Sequence, residues 1–307
     1  MKLLIKTLNY NSKLLQIKNR SYSLKVSTTI VDNGKPSTPK SFLRWIGGKR
    51  LLINKLFNYL PQDWSKRRYF EPFAGAANLF FRLRPEKAVL ADLNEPLIEC
   101  YKQVRDRYPT IAGHIREHKK NNSKEYYYKI RDIYNHTRYG PAQAARFIYL
   151  NQTCFNGIFR VNLAGKYNVP YGDKVNPQFP STNELAEASK TLKNATLLVS
   201  DFEDSLSNAQ SGDFIYLDPP YPPLNGTSYF THYTRDRFTA DNQVRLASVV
   251  RDLERRGCLF LMTNADLPNI RKLYSGFNIF EMSVTRYVSC KSSRYQVSEL
   301  VITNYDA

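Results

Sequence analysis

The segment Asp213-Phe-Ile-Tyr-Leu-Asp-Pro-Pro-Tyr221 constrains the fold more than any other stretch of the chain. Phe214 to Leu217 is an unbroken apolar and aromatic run, too short for a helix and without polar alternation. Such a run suits a strand buried on both faces, as in a parallel sheet covered by helices. Pro219 and Pro220 lack a backbone N–H and fix φ, so the strand must end at Asp218.

The rest of the chain keeps this rhythm. Short β-rich runs stand at Ala88–Asp92, Thr196–Ser200, Cys258–Met262, Phe277–Met282 and Glu299–Thr303, and helical spacing covers Arg50–Leu60, Glu95–Val104 and Asp241–Arg256. Strands alternating with helices predict an α/β fold with a mostly parallel sheet and helices on both faces. The rhythm breaks between Tyr101 and Gly172. Helices with polar faces, including Tyr126-Tyr127-Tyr128, run to about Tyr149, and a Gly- and Asn-punctuated stretch suited to a hairpin or loop follows. The expected organisation is a basic extension at 1–40, a core formed by 41–105 and 191–307, and an inserted region at 106–190.

Charge sharpens that division. The chain of 307 residues carries a net +18, distributed as +7 over 1–40, +4 over 41–100, +9 over 101–172 and −2 over 173–307. A polyanionic partner is implied, nucleic acid before an acidic membrane surface, and its contact surface should come from the first 172 residues. Residues 1–40 read as a loosely ordered extension, with a DNA-binding arm or an organellar transit peptide as the other readings. Cys100, Cys154, Cys258 and Cys290 show no CxxC pairing and no spacing of a disulfide framework or zinc knuckle, which points to a reducing compartment. No apolar run approaches the roughly 18 residues of a membrane span. A cytoplasmic or nucleoid-associated protein without a metal is expected.

Ligands bind at the carboxyl ends of strands in open α/β sheets. There the Asp218 carboxylate and the Pro219 carbonyl offer two acceptors, fixed by Pro219 and Pro220 at little further entropic cost. Two acceptors suit one amino group. An aromatic amine is a poor nucleophile because its lone pair is delocalised into the ring. Hydrogen bonds from both of its N–H groups favour a pyramidal nitrogen and free that pair, while Tyr221 can stack on the ring. The same tetrapeptide also serves as a plain turn in which Asp218 caps the following segment.

Upstream, Tyr69-Phe-Glu-Pro-Phe-Ala-Gly-Ala-Ala-Asn78 leads into the apolar run Leu79-Phe-Phe-Arg-Leu83, and Asp92 follows Gly75 by 17 residues. A strand, a turn of small residues opening a helix, and an acid ending the next strand is the layout by which α/β folds hold a nucleoside and its ribose hydroxyls. Tight strand-to-helix packing alone would use the same small residues.

Together these segments resemble the Dam-type DNA adenine-N6 methyltransferases (class D12, alpha group), over nearly all of residues 41–305. The resemblance implies a Rossmann-like methyltransferase sheet interrupted by a helical target-recognition insertion with a β-hairpin, and S-adenosylmethionine as cofactor. It implies catalysis by Asp218, Pro219, Pro220 and Tyr221. Leu43-Arg-Trp-Ile-Gly-Gly-Lys49 is similar to the family's Trp-x-Gly-Gly-Lys segment, which places Trp45 and Lys49 with Phe73, Gly75, Asp92, Asp201, Phe202 and Asp218 at the cofactor. Phe155-Asn-Gly-Ile-Phe-Arg-Val-Asn162 and Gly165-Lys-Tyr-Asn-Val-Pro-Tyr-Gly172 resemble its DNA-reading hairpin. Arg160 would then offer a fork to guanine, Phe155 a wedge into the base stack, and Ile158 and Pro170 contact with a thymine methyl, beside Asn156, Asn162 and Arg44. Leu224 to Tyr233, with Phe238, looks like the loop that closes over the flipped adenine.

Ala77 stands where the family has a second glycine, and Arg44 where it has a lysine. These departures put cofactor affinity and outer-base selectivity in question, while Asp218 is untouched. The implied activity is site-specific transfer of methyl to adenine N6 in duplex DNA, within GATC, with no protein partner required. The alternatives are a restriction–modification methyltransferase of another site and a catalytically silent DNA-binding relative.

Overall fold

The apolar segments assemble into one seven-stranded sheet in a computed structural model that describes residues 40–45, 47–49, 52–222, 238–287 and 294–307, the side chains of 285–287 and 294–296 excepted. Its strands are β1 (Tyr69–Glu71), β2 (Ala88–Asp92), β3 (Ala195–Val199), β4 (Phe214–Leu217), β5 (Leu259–Ala265), β6 (Asn278–Tyr287) and β7 (Arg294–Thr303). They lie in the order β3-β2-β1-β4-β5-β7-β6. The first five pair in parallel, while β7 enters antiparallel between β5 and β6. The order reverses at β1 and β4, so a crevice forms beyond the ends of those two strands.

Neighbouring residues along each strand feed opposite faces. Tyr69, Phe214, Tyr216, Leu261 and Val301 join one core with α1 (Ile53–Leu56), α2 (Asn78–Leu83), α3 (Glu95–Lys120), α4 (Lys124–His136), α5 (Pro141–Thr153) and α6 (Thr182–Leu192). Phe70, Ile215, Leu217, Phe260 and Ile302 join the other with α7 (Phe202–Ser205), α8 (Ala240–Arg255) and α9 (Pro268–Leu273). The expected Rossmann-like sheet with helices on both faces is therefore present.

Local chemistry starts and stops the helices. Asn94, Ser123 and Thr239 accept from the N–H groups of Leu97, Tyr126 and Asn242, and Ser181 with Glu184 forms a full capping box. α3 runs past the expected end at Val104 and is kinked at Arg107, just before Pro109, where the ring removes a helical hydrogen bond. The helix expected over Arg50–Leu60 shrinks to α1 and a 3-10 turn at Phe57–Tyr59, since Leu60 precedes Pro61 and takes extended backbone. The strands at 277–282 and 299–303 extend well beyond those limits because β6 and β7 pair with each other and need only one buried face, so Glu281 and Ser283 alternate with buried Met282 and Val284. The expected polar face around Tyr126-Tyr127-Tyr128 also changes: Tyr127 is fully buried, its hydroxyl donating to the Val169 carbonyl at 2.9 Å.

Cys100, Cys154 and Cys258 are buried free thiols, and Cys290 lies outside the described residues. Among the described residues no helix is long and apolar enough to cross a membrane.

Candidate functional site

Asp218 leaves the end of β4 into the crevice, and two donors meet on one of its oxygens. Lys49 Nζ and Thr263 Oγ1 each lie 2.7 Å from Oδ1. No donor among the described residues is recorded on Oδ2. Lys49 also donates to the Gly47 carbonyl at 3.1 Å, stands 3.9 Å from Glu299 Oε2 and lies 4.4 Å from the centre of the Tyr221 ring. The Tyr221 hydroxyl donates to Glu299 Oε2 at 3.0 Å. Gln243, on α8, holds the Pro220 carbonyl at 3.2 Å, so the two prolines are fixed from both ends.

Burial pushes the Asp218 carboxyl above its ordinary range, and the Lys49 ammonium opposes the push. Burial also pulls Lys49 down, yet Asp218 foremost, with Tyr216 and Glu299, holds it above its ordinary value, so it stays charged. The result is a half-buried carboxylate, ion-paired through one oxygen and open to a new donor on the other.

The turn at Gly75 lies alongside. Gly75, at φ +45, donates its N–H to Asp92 Oδ2 at 2.9 Å, while Asp92 Oδ1 takes the Asn94 N–H at 2.9 Å and the Tyr101 hydroxyl pins the Gly75 carbonyl at 2.5 Å. A Cβ at Gly75 would lie 2.8 Å from the Trp45 ring, so only glycine allows that indole to cover the turn. Ala77 takes left-handed backbone, φ 48, as the cap of α2. Phe73 stacks on Phe202 with ring centres 5.4 Å apart and meets Phe238 edge-on at 5.7 Å. Asp201 caps α7 and binds Arg245 at 2.6 Å, while Phe202 is buried beneath that guanidinium. A carboxylate backed by two N–H groups, a side-chain-free turn and a cluster of rings fit a nucleoside with ribose hydroxyls.

The recognition stretch is a distorted hairpin. Bridges Cys154↔Tyr171 and Val161↔Tyr167 close it, and a 3-10 turn at Phe155–Gly157 interrupts it. Phe155 is 48% exposed, and Asn156, with φ 54, and Pro170 are also exposed, while Ile158 is half-buried. Arg160 is exposed and braced by Asn168, Nε to Oδ1, at 2.8 Å. Asn162 builds the tip, its Oδ1 accepting from the Ala164 and Lys166 N–H groups. A cleft of about 250 Å³ opens between α4 and this loop, lined by Tyr128, Arg131, Asn135, Asn162 and Lys166. Arg44 lies under the loop: its side chain packs on Gly157, and its Nη1 is buried without a partner.

Two anchors join this stretch to the catalytic side. Asn151 of α5 grips the Arg44 backbone at both its N–H (2.8 Å) and its carbonyl (2.7 Å), and Trp45 stacks on Phe159 at 6.1 Å. Asn151, Thr263, Glu299, Gln243 and Tyr101 escaped the sequence reading. Each stands among other polar residues in the sequence, as in Asn151-Gln152-Thr153 or Ser298-Glu299, so no pattern singles it out. The expected base-closing residues Tyr229, Phe230 and Tyr233 lie outside the described residues.

The model of the D12 class N6 adenine-specific DNA methyltransferases matches residues 45–288. A Type II methyltransferase, M1.LlaDCHI of Lactococcus lactis subsp. cremoris, is 38% identical over 273 residues, covering 87% of this chain and 95% of that one. A second, M.MjaIII of Methanocaldococcus jannaschii, is 39% identical over 288 residues, covering 87% and 99%. The DNA adenine methylase of Escherichia coli K12 is 33% identical over 265 residues, covering 85% and 94%. The family match spans both the turn at Gly75 and the strand end at Asp218, the two places where the crevice is built. The chain therefore belongs to the D12 class of N6 adenine-specific DNA methyltransferases.

Proposed function

We propose that this protein transfers methyl from S-adenosylmethionine to the N6 amine of an adenine flipped out of duplex DNA, within GATC. The half-engaged carboxylate of Asp218 carries the reading. With Oδ1 filled by Lys49 and Thr263, Oδ2 is the acceptor available to an incoming amine. Asp218 and the Pro219 carbonyl would draw on the two amine hydrogens, which localises the nitrogen lone pair, and Tyr221 would hold the base by stacking. The bound cofactor supplies an electrophilic sulfonium methyl. Asp92, Gly75, Trp45 and Phe73 would hold its nucleoside, and burial of the site would exclude water from the nucleophile. Exposed Phe155 and Arg160 support DNA contact by wedge and fork, and the +9 carried by residues 101–172 supports attraction to the duplex. A cytoplasmic location goes with this substrate.

A restriction–modification role at a different adenine site is the second reading. The 38% and 39% identities to two Type II methyltransferases, against 33% to the E. coli DNA adenine methylase, support the restriction–modification role and leave the site to be read by experiment. Tritium transfer from labelled cofactor to duplexes that vary one base pair at a time separates the two. GATC-dependent transfer that vanishes in Asp218→Ala supports the first reading, and transfer at another adenine site supports the second. Undiminished transfer by Asp218→Ala would sink the mechanism.

A further inference from the structure

Glu299 is a carboxylate only 4% exposed, directly before the fully buried apolar run Leu300–Ile302 of β7. Burying an unpaired carboxylate costs several kcal/mol, so its partners identify what it is there to hold. The antiparallel entry of β7 sets Glu299 opposite Ala265 at the end of β5, two residues beyond the Thr263 that binds Asp218. From there one oxygen, Oε2, takes the Tyr221 hydroxyl at 3.0 Å and stands 3.9 Å from Lys49 Nζ. Lys49 in turn lies across the Tyr221 ring and binds only Oδ1 of Asp218.

We propose that Glu299 is a positioning residue for methyl transfer: by holding Tyr221 and Lys49 together it fixes the stacking ring and steers Lys49 onto Oδ1, which reserves Oδ2 for the amine. This rests on the methyl-transfer reading above. Without Glu299 the Tyr221 hydroxyl loses its bond to Oε2, and the ammonium loses the carboxylate that draws it away from Oδ2, so it can straddle both Asp218 oxygens and compete with the substrate amine. The titratable groups facing Asp218 are Lys49, Tyr69 and Glu71 of β1, Tyr216 of β4, Tyr221 and Glu299. The negative charge of Glu299 raises the Asp218 carboxyl, so its removal lowers it.

The test compares Glu299→Gln, Glu299→Ala, Tyr221→Phe and the Gln/Phe double variant in single-turnover methylation of a duplex the wild type modifies. A misplaced ring and ammonium should cost about 10-fold in rate for Gln and about 100-fold for Ala. Cofactor Kd by calorimetry should stay near the wild-type value. Tyr221→Phe should cost much less in the Gln background than alone, and the acid limb of the Gln variant's pH–rate profile should move to lower pH. Additive losses with an unmoved acid limb, or a rate that falls only in step with melting temperature, would assign a merely structural role and overturn the proposal. If Ala does not fold, Gln carries the comparison. A carboxyl-carbon NMR titration of Asp218 in wild type and Glu299→Gln needs no turnover, and an unchanged midpoint overturns the proposal by itself. A wild type that transfers no methyl to adenine would instead defeat the methyl-transfer reading, while the titration still reports on Glu299.

Discussion

Lys49 touches both Asp218 and Tyr221, so its loss should act on charge and on geometry together. Because the ammonium opposes the upward push of burial on Asp218, Lys49→Met should raise that carboxyl further and move the acid limb of the pH–rate profile to higher pH. The rate near neutral pH should fall about 100-fold. The shift is opposite in sign to the one expected for Glu299→Gln, and pH–rate profiles of the two variants check it. Glu71 is a separate case. It is buried beside the Tyr69 hydroxyl, which donates to it at 2.8 Å, and burial pushes it from 4.5 up to about 8. A raised folded value means full stabilisation below the unfolded value and loss as pH climbs through the folded one. The window is pH 4.5 to about 8, and the loss is on the order of 5 kcal/mol. In urea melts from about pH 5 to about pH 9 the fall in stability should be smaller, by most of these ~5 kcal/mol, for Glu71→Gln than for the wild type. Asp218 was readable in the sequence because two prolines and a strand announce it, whereas Thr263, Glu299 and Glu71 were not. A polar residue inside a strand has no period to reveal it, and its importance comes from strands distant in sequence that become neighbours in the sheet.

Asn151 shows how one side chain can substitute for a strand partner. Its amide pairs with the N–H and carbonyl of Arg44, and Gln152 adds a bond to the Phe42 carbonyl at 2.9 Å. Asn151→Ala leaves that backbone unsatisfied beside the core and should cost about 2–3 kcal/mol in urea denaturation. Because Arg44 precedes Trp45, cofactor affinity should fall too, and calorimetry checks it. The parallel strands were readable because burial on both faces leaves short apolar runs. The two C-terminal strands were readable only in part, since an antiparallel hairpin with one exposed face admits polar residues. The hairpin expected in the recognition stretch also departs from regular pairing. Asn156 and Gly157, with φ 54 and φ 68, turn the chain out of strand geometry and present Phe155 to solvent.

Charge is divided across the molecule as it is along the chain. The segment 173–307 bearing Asp218 carries −2 and residues 101–172 carry +9, so on the proposed function attraction to DNA and methyl transfer draw on different parts of the sequence. Removing residues 1–40, which hold +7, should flatten the salt dependence of DNA binding by about one unit of log–log slope for each phosphate that the segment neutralises. Fluorescence titrations at several salt concentrations check this, and an unchanged slope would exclude the segment from the duplex. The antiparallel entry of β7 has a consequence for biosynthesis. A ribosome delivers Lys49 early and Glu299 late, and the two meet only after β7 has slotted between β5 and β6. A nascent chain can thus display the Gly75 turn and Asp218 and still lack the group that holds Tyr221 and Lys49. The Tyr221–Glu299 bond and the approach of Lys49 to Glu299 are therefore among the last contacts of the crevice to form during synthesis.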